Sequence, residues 1–194
     1  MLADIEPFSV GSVSFSLDKS LSSGVEETVA EVIFYPRQNE VSLEFKDGLR
    51  QSQQYWTQAG RKQFIEALNT YKDDFANRKL VTSYGKSRAA YGKVPGRYQW
   101  KPLSFSSVYE ASPAFELGYR FKGNTPYFSV HQKSAKEETG VNTGITTSPS
   151  FNLYFSRAQA EELANLFDQN FLLQSLGSMN APPIEDSSKD VYIE

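Results

Sequence analysis

The chain has 194 residues, 20 basic and 23 acidic, with 39% hydrophobic and 14% aromatic content and no cysteine. That balance belongs to a folded chain with a real core rather than to a disordered one. The missing cysteines exclude disulfides, cysteine-ligated metals, iron–sulfur clusters and thiol nucleophiles. No stretch approaches the roughly 20 apolar residues of a membrane-spanning helix. The start, Met1-Leu2-Ala3-Asp4-Ile5-Glu6-Pro7, is not a signal peptide. It reads as a mature start from which an export signal has been removed, so a periplasmic or otherwise exported location is expected ahead of a cytoplasmic one.

Phe8 to Leu17 predicts a strand, with Val13, Phe15 and Leu17 alternating against serines and a phase change near Gly11 that marks a bulge. Ser20 to Gly24 is turn-like. Thr28 to Tyr35 is a second strand, Pro36 to Asn39 a turn, and Val41, Leu43 and Phe45 a half-buried third strand. Asp47-Gly48 turns the chain into a polar fourth strand, Gln51 to Trp56. Thr57 is the expected N-cap of a helix with an apolar stripe of Phe64, Ile65, Leu68, Tyr71 and Phe75, ending near Asn77. Beyond it, Tyr98 to Trp100 or Ser104 to Tyr109 offers a strand. Phe115, Leu117, Tyr119 and Phe121 alternate in another, Gly123-Asn124 turns, and Tyr127 to Gln132 returns. Ser134 to Pro149 is a polar loop expected to be mobile. Phe151, Leu153 and Phe155 form a last strand. Ser156 then caps a helix, with Gln159 completing a capping box and a stripe of Leu163, Leu166, Phe167 and Phe171.

Shifting the chain by 99 positions lays Trp56-Thr57 on Phe155-Ser156, Ala59 on Ala158, Phe64 on Leu163 and Leu68 on Phe167. The expected fold is therefore α+β, two ββββα repeats whose antiparallel sheets each pack against one helix. Residues 1–80 would be the first unit, 81–103 a basic-aromatic linker that includes a strand, 104–176 the second unit, and 177–194 a disordered acidic tail. Any strand entering a capped helix would produce a similar match, so the duplication stays open.

The run Phe151-Asn152-Leu153-Tyr154-Phe155-Ser156-Arg157-Ala158-Gln159-Ala160, and Gly96-Arg97-Tyr98, sit within this element order. In that order the chain resembles the PUR-domain family and, more loosely, the Whirly proteins. The resemblance implies curved antiparallel sheets, each with a helix on one side, and single-stranded nucleic acid bound on the sheet.

Charge is uneven. No acidic residue lies between Asp74 and Glu110, while Arg78, Lys79, Lys86, Arg88, Lys93, Arg97 and Lys101 do. With Tyr84, Tyr91, Tyr98 and Trp100 interleaved, they form the candidate contact surface: cations neutralise phosphates and rings stack on unpaired bases. The simpler reading of the same residues is a solvated linker whose rings tuck into the core. The acidic tail could also lie over this segment as a mask.

No catalytic constellation is recognisable. Gly85 and Gly92 are too far apart for a phosphate loop, and Val94 follows Lys93 where a Ser or Thr is needed. His131 is the single histidine, without a nucleophile elbow nearby, and reads as a hydrogen-bonded or exposed strand histidine. The acidic pairs Glu26-Glu27, Asp73-Asp74, Glu137-Glu138 and Glu161-Glu162 read as solvated faces. The expectation is a non-enzymatic binding or structural protein, without cofactor or metal, whose partner is another protein or a surface. Single-stranded DNA or RNA is the alternative partner, and a dimer is compatible with either. The acidic body outside the central segment sets that order.

Overall fold

The computed structural model describes residues 5–19, 25–83, 87–103, 107–140 and 144–179. Ten antiparallel strands form a single sheet: β1 (Phe8–Lys19), β2 (Val25–Tyr35), β3 (Glu40–Asp47), β4 (Arg50–Thr57), β5 (Gly92–Pro95), β6 (Arg97–Pro102), β7 (Tyr109–Ala111), β8 (Ala114–Lys122), β9 (Thr125–Gln132) and β10 (Phe151–Phe155). Among the described residues three helices accompany them: α1 (Gln58–Ala76), α2 (Arg157–Phe167) and α3 (Gln169–Met179). None of the described helices is long and apolar enough to cross a membrane.

The expected pair of separate sheets is not what forms. The order is β5-β8-β9-β10-β1-β2-β3-β4-β6-β7, one sheet curled into a half-barrel. β10 pairs directly with β1, Ser16 opposite Tyr154, so the two halves of the chain share one ladder. The equivalence of Thr57 and Ser156 is therefore local. Each caps a helix that leaves a strand, with Thr57 Oγ1 accepting from Gly60 N at 3.1 Å and Ser156 in a complete capping box with Gln159. But β4 lies between β3 and β6, whereas β10 lies between β9 and β1. Element order alone does not say which strand edges meet, and here the edges of the two halves meet each other.

The central segment closes the curl. β5 and β6 are separated by Gly96 alone, and β7 and β8 by Ser112-Pro113. Pro95 faces Ala114 and Tyr98 faces Ala111, and Gly96 N–H donates to Pro113 O at 2.9 Å between them. The four short strands thus make one bent hairpin. Its β6 half pairs with β4, and its β8 half pairs with β9. A side chain at Gly96 would enter the Phe115 ring, with a Cβ 2.3 Å from its nearest carbons. The bend therefore requires glycine.

The inner face is aromatic. Trp56 lies 4.8 Å from Phe115, 5.3 Å from Phe167 and 5.7 Å from Phe64, ring centre to ring centre. Phe64 of α1 also meets Phe128 and Phe155, and Phe45 meets Phe15 and Phe151 across the curl. Arg61 is buried in this layer. Its guanidinium donates to Phe167 O, Asn39 O, Trp56 O, Asn39 Oδ1 and Gln169 Oε1 at 2.7–3.3 Å, a clasp without a carboxylate. Burial lowers its pKa to about 10, against a smaller opposing pull from Glu40.

Other expectations need adjustment. The bulge near Gly11 is present, as a register shift between Ser9 and Gly11. The last helix is broken: Asp168 Oδ1 accepts from Asn170 N and Phe171 N, starting α3, so Phe171 leaves the stripe of α2 and is exposed. In the 134–149 loop, Lys136 bridges Thr147, Ala111 bridges Glu137, and Ser134 Oγ donates to Ser148 O at 2.7 Å. Residues 177–179 belong to α3. The Ser20–Gly24 turn and the tail from 180 onward lie outside the described residues.

Candidate functional site

Strand alternation assigns every second side chain to the outer face of the sheet, away from the helices. On β6 this splits the basic-aromatic run. Tyr98 and Trp100 point inward and are buried; Tyr98 OH lies 2.8 Å from Ser52 Oγ, and Trp100 stacks between Tyr98 and Tyr109. Arg97 and Lys101 point outward. Arg97 lies 3.5 Å above the centre of the Tyr55 ring and pairs with Glu40 at 2.7 Å and Glu110 at 3.6 Å. Tyr91 packs against Tyr71, Tyr119 and Phe128 and donates to Asp74 Oδ2 at 3.2 Å. Arg78 and Lys79 are exposed beyond the end of α1. Tyr84 and Lys86 lie outside the described residues. Among the described residues the structure therefore does not gather these residues into one surface: Tyr91, Tyr98 and Trp100 go to the core, and Arg97 is drawn to other carboxylates than Arg88 and Lys93.

Two of those cations, Arg88 and Lys93, converge on one place. Glu116 on β8 is only 3% exposed, yet it lies on the outer face. It is covered because Gly118, also on that face, lets the backbone of Ser87 and Arg88 rest directly on the strand. A Cβ there would stand 2.0 Å from Ser87 O. From this turn Arg88 Nε reaches Glu116 Oε2 at 3.0 Å, while Lys93 and Lys133 reach the other oxygen at 2.9 and 2.8 Å. Burial works to raise the Glu116 pKa, but the hydrogen bonds and charges of Lys133 and Lys93 outweigh it and hold the carboxyl below its ordinary value. His131, opposite Glu116 on β9, lies 2.8 Å from Asn152 Oδ1 through Nδ1 and contacts the Arg88 guanidinium through Nε2. Burial first, then the Arg88 charge, lowers its pKa. The neutral tautomer that fits donates from Nδ1 and accepts at Nε2.

The opposite sign gathers across β1, β2 and β3. A groove of about 720 Å³ runs over this part of the sheet, lined by Ser12, Glu27, Val29, Glu31, Glu44 and Lys46 among others. Along β2, Val25, Glu27, Val29 and Glu31 alternate outward, and Val25 and Val29 are 50% and 59% exposed. Glu27 accepts from Ser16 Oγ at 2.6 Å. Glu44 accepts from Tyr35 OH and Ser42 Oγ, both at 3.3 Å, and from Gln53 Nε2. Glu31 stands directly opposite Glu44 in the β2–β3 register and has no ion-pair partner among the described residues. Like charges directly opposite each other weaken a strand pair. The fold keeps this pairing within the lining of the groove.

Glu116, Lys133, Glu31 and Glu44 were not singled out from sequence, and His131 was read as structural. Gly118 was the available signal, since a glycine inside an otherwise alternating strand marks a close backbone approach. The Glu31–Glu44 pair has no sequence signal, because it depends on register.

A model of the family described as "Uncharacterised Treponema protein" matches residues 9–174, and the chain belongs to that family. No curated protein and no solved structure matches it.

Proposed function

We propose that this member of the uncharacterised Treponema family is a non-catalytic binding module whose working surface is the acidic groove on the outer face of the sheet, and whose partner is a cationic polypeptide segment. The observation that carries this reading is Glu31 set against Glu44 in register within a groove whose only basic lining residue, among the described residues, is Lys46. A lysine or arginine head placed between the two carboxylates would relieve their repulsion, while its alkyl stem would lie on Val29. Single-stranded nucleic acid fits less well. The rings that would stack on bases, Tyr98 and Trp100, are buried, and the groove carries the charge of the phosphates.

The test is fluorescence anisotropy with a labelled octalysine peptide at about 20 mM and about 300 mM salt. Saturable binding should be present at low salt and weakened at high salt. Glu27→Gln/Glu31→Gln should weaken it by about threefold or more at low salt, the combined effect of two exposed ion pairs. Unchanged affinity in that variant, with the far-UV spectrum retained, would remove the groove as the site.

A further inference from the structure

At the other pole of the outer face three cations serve one carboxylate. Arg88, Lys93 and Lys133 all lie within 3.0 Å of Glu116, which neutralises one of their three charges. A single lysine would suffice to pair a buried carboxylate, so the surplus is unexplained by burial alone. The carboxylate is 4% exposed while the Lys93, Lys133 and Arg88 side chains are 55%, 47% and 36% exposed. The negative charge is thus buried, and the three cationic side chains reach solvent around it. Lys93 and Lys133 share one oxygen, so their ammonium groups are held near each other against mutual repulsion.

We infer that Arg88, Lys93 and Lys133 form a binding site for a phosphate dianion or phosphoryl group, with Glu116 as the buried counterion that holds the three heads in place. A flexible lysine loses rotamer freedom when it is fixed on a ligand. Here the fold has already fixed two of them, which is the condition under which an anion binds tightly to so few groups. The guanidinium adds a planar donor array suited to phosphoryl oxygens. Gly118 has a place in this design, because it seats the turn that delivers Arg88. The site is separate from the acidic groove and does not depend on it.

The experiment is isothermal titration of the full chain with inorganic phosphate and, in a second arm, with phenyl phosphate, at constant ionic strength against chloride. One saturable site is expected in at least one arm. Binding of both probes indicates a phosphoryl group at large, and binding of inorganic phosphate alone indicates a free ion. Lys93→Ala/Lys133→Ala should weaken it by at least tenfold with the fold intact by circular dichroism. Should that double variant fail to fold, Lys93→Gln alone, on the more exposed lysine, should still weaken binding severalfold. No saturable binding below about 10 mM in either arm, which corresponds to less than about 3 kcal/mol, would overturn the inference. So would equal affinity in the folded variants.

Discussion

The inner and outer faces of the curled sheet are made from alternate residues of the same strands, yet they obey opposite rules. The inner face is built mainly of apolar and aromatic contacts, and the one buried cation among the described residues, Arg61, has its donors matched to five neutral acceptors. On the outer face charges of one sign are set side by side: Glu31 against Glu44, and three cations about Glu116. The first arrangement maximises stability, and the second gives some of it up. Where a fold concedes stability in this way, a partner that restores it is the physical reading.

The largest expected effect breaks the inner face. Arg61→Met takes the guanidinium donors from five neutral acceptors and should cost about 3–5 kcal/mol, measured by urea unfolding. A loss below about 1 kcal/mol would mean that the clasp is not structural. Next is the seam. Gly96→Ala drives a Cβ into Phe115 at the bend that joins the two ends of the curl, and about 1–3 kcal/mol should be lost. Gly92→Ala is the contrast: it has open space but a φ of +112°, so its cost would be backbone strain without a clash.

Much of the inner face was legible in the sequence, because burial follows period. The alternation of Val41, Leu43 and Phe45 gave β3, and the hydroxyls of Thr57 and Ser156 gave both helix starts. The closure was not legible. Gly96, Pro95 and Pro113 interrupt the pattern of the bent hairpin, so its β5–β6 arm read as a linker and its β7–β8 arm as part of a separate second unit. The duplication failed for a related reason: a capped helix after a strand is a local signal, while the neighbours of β4 and β10 are decided by distant edges. On the outer face the residue types were visible but their partners were not. Arg88 and Lys93 belong to the basic run, yet what they bind, Glu116, lies in a strand more than twenty positions away.

A smaller effect reads the outer face by pH. His131 has a folded pKa below its ordinary value, so the unfolded chain takes up its proton first as pH falls. Its contribution is complete above about pH 6.5 and is lost progressively below it. Glu116, also lowered, contributes above its unfolded value of about 4.3 and loses that contribution as pH falls through the folded pKa. Urea midpoints should therefore decline between pH 7 and pH 5, and His131→Gln should flatten that decline. An equal slope in the variant would show that the histidine is not coupled to stability.

The smallest effect is the most informative. Glu31→Gln removes one of the two facing carboxylates without disturbing the hydrogen bonds that Glu44 receives. The decisive measurement is its unfolding free energy at low ionic strength beside that of the natural chain. A gain of about 0.2–1 kcal/mol that disappears at high salt is the result expected of a surface held in charge conflict for a cationic partner. A loss of stability would mean that Glu31 supports the fold, and the groove would lose its claim to be the working surface.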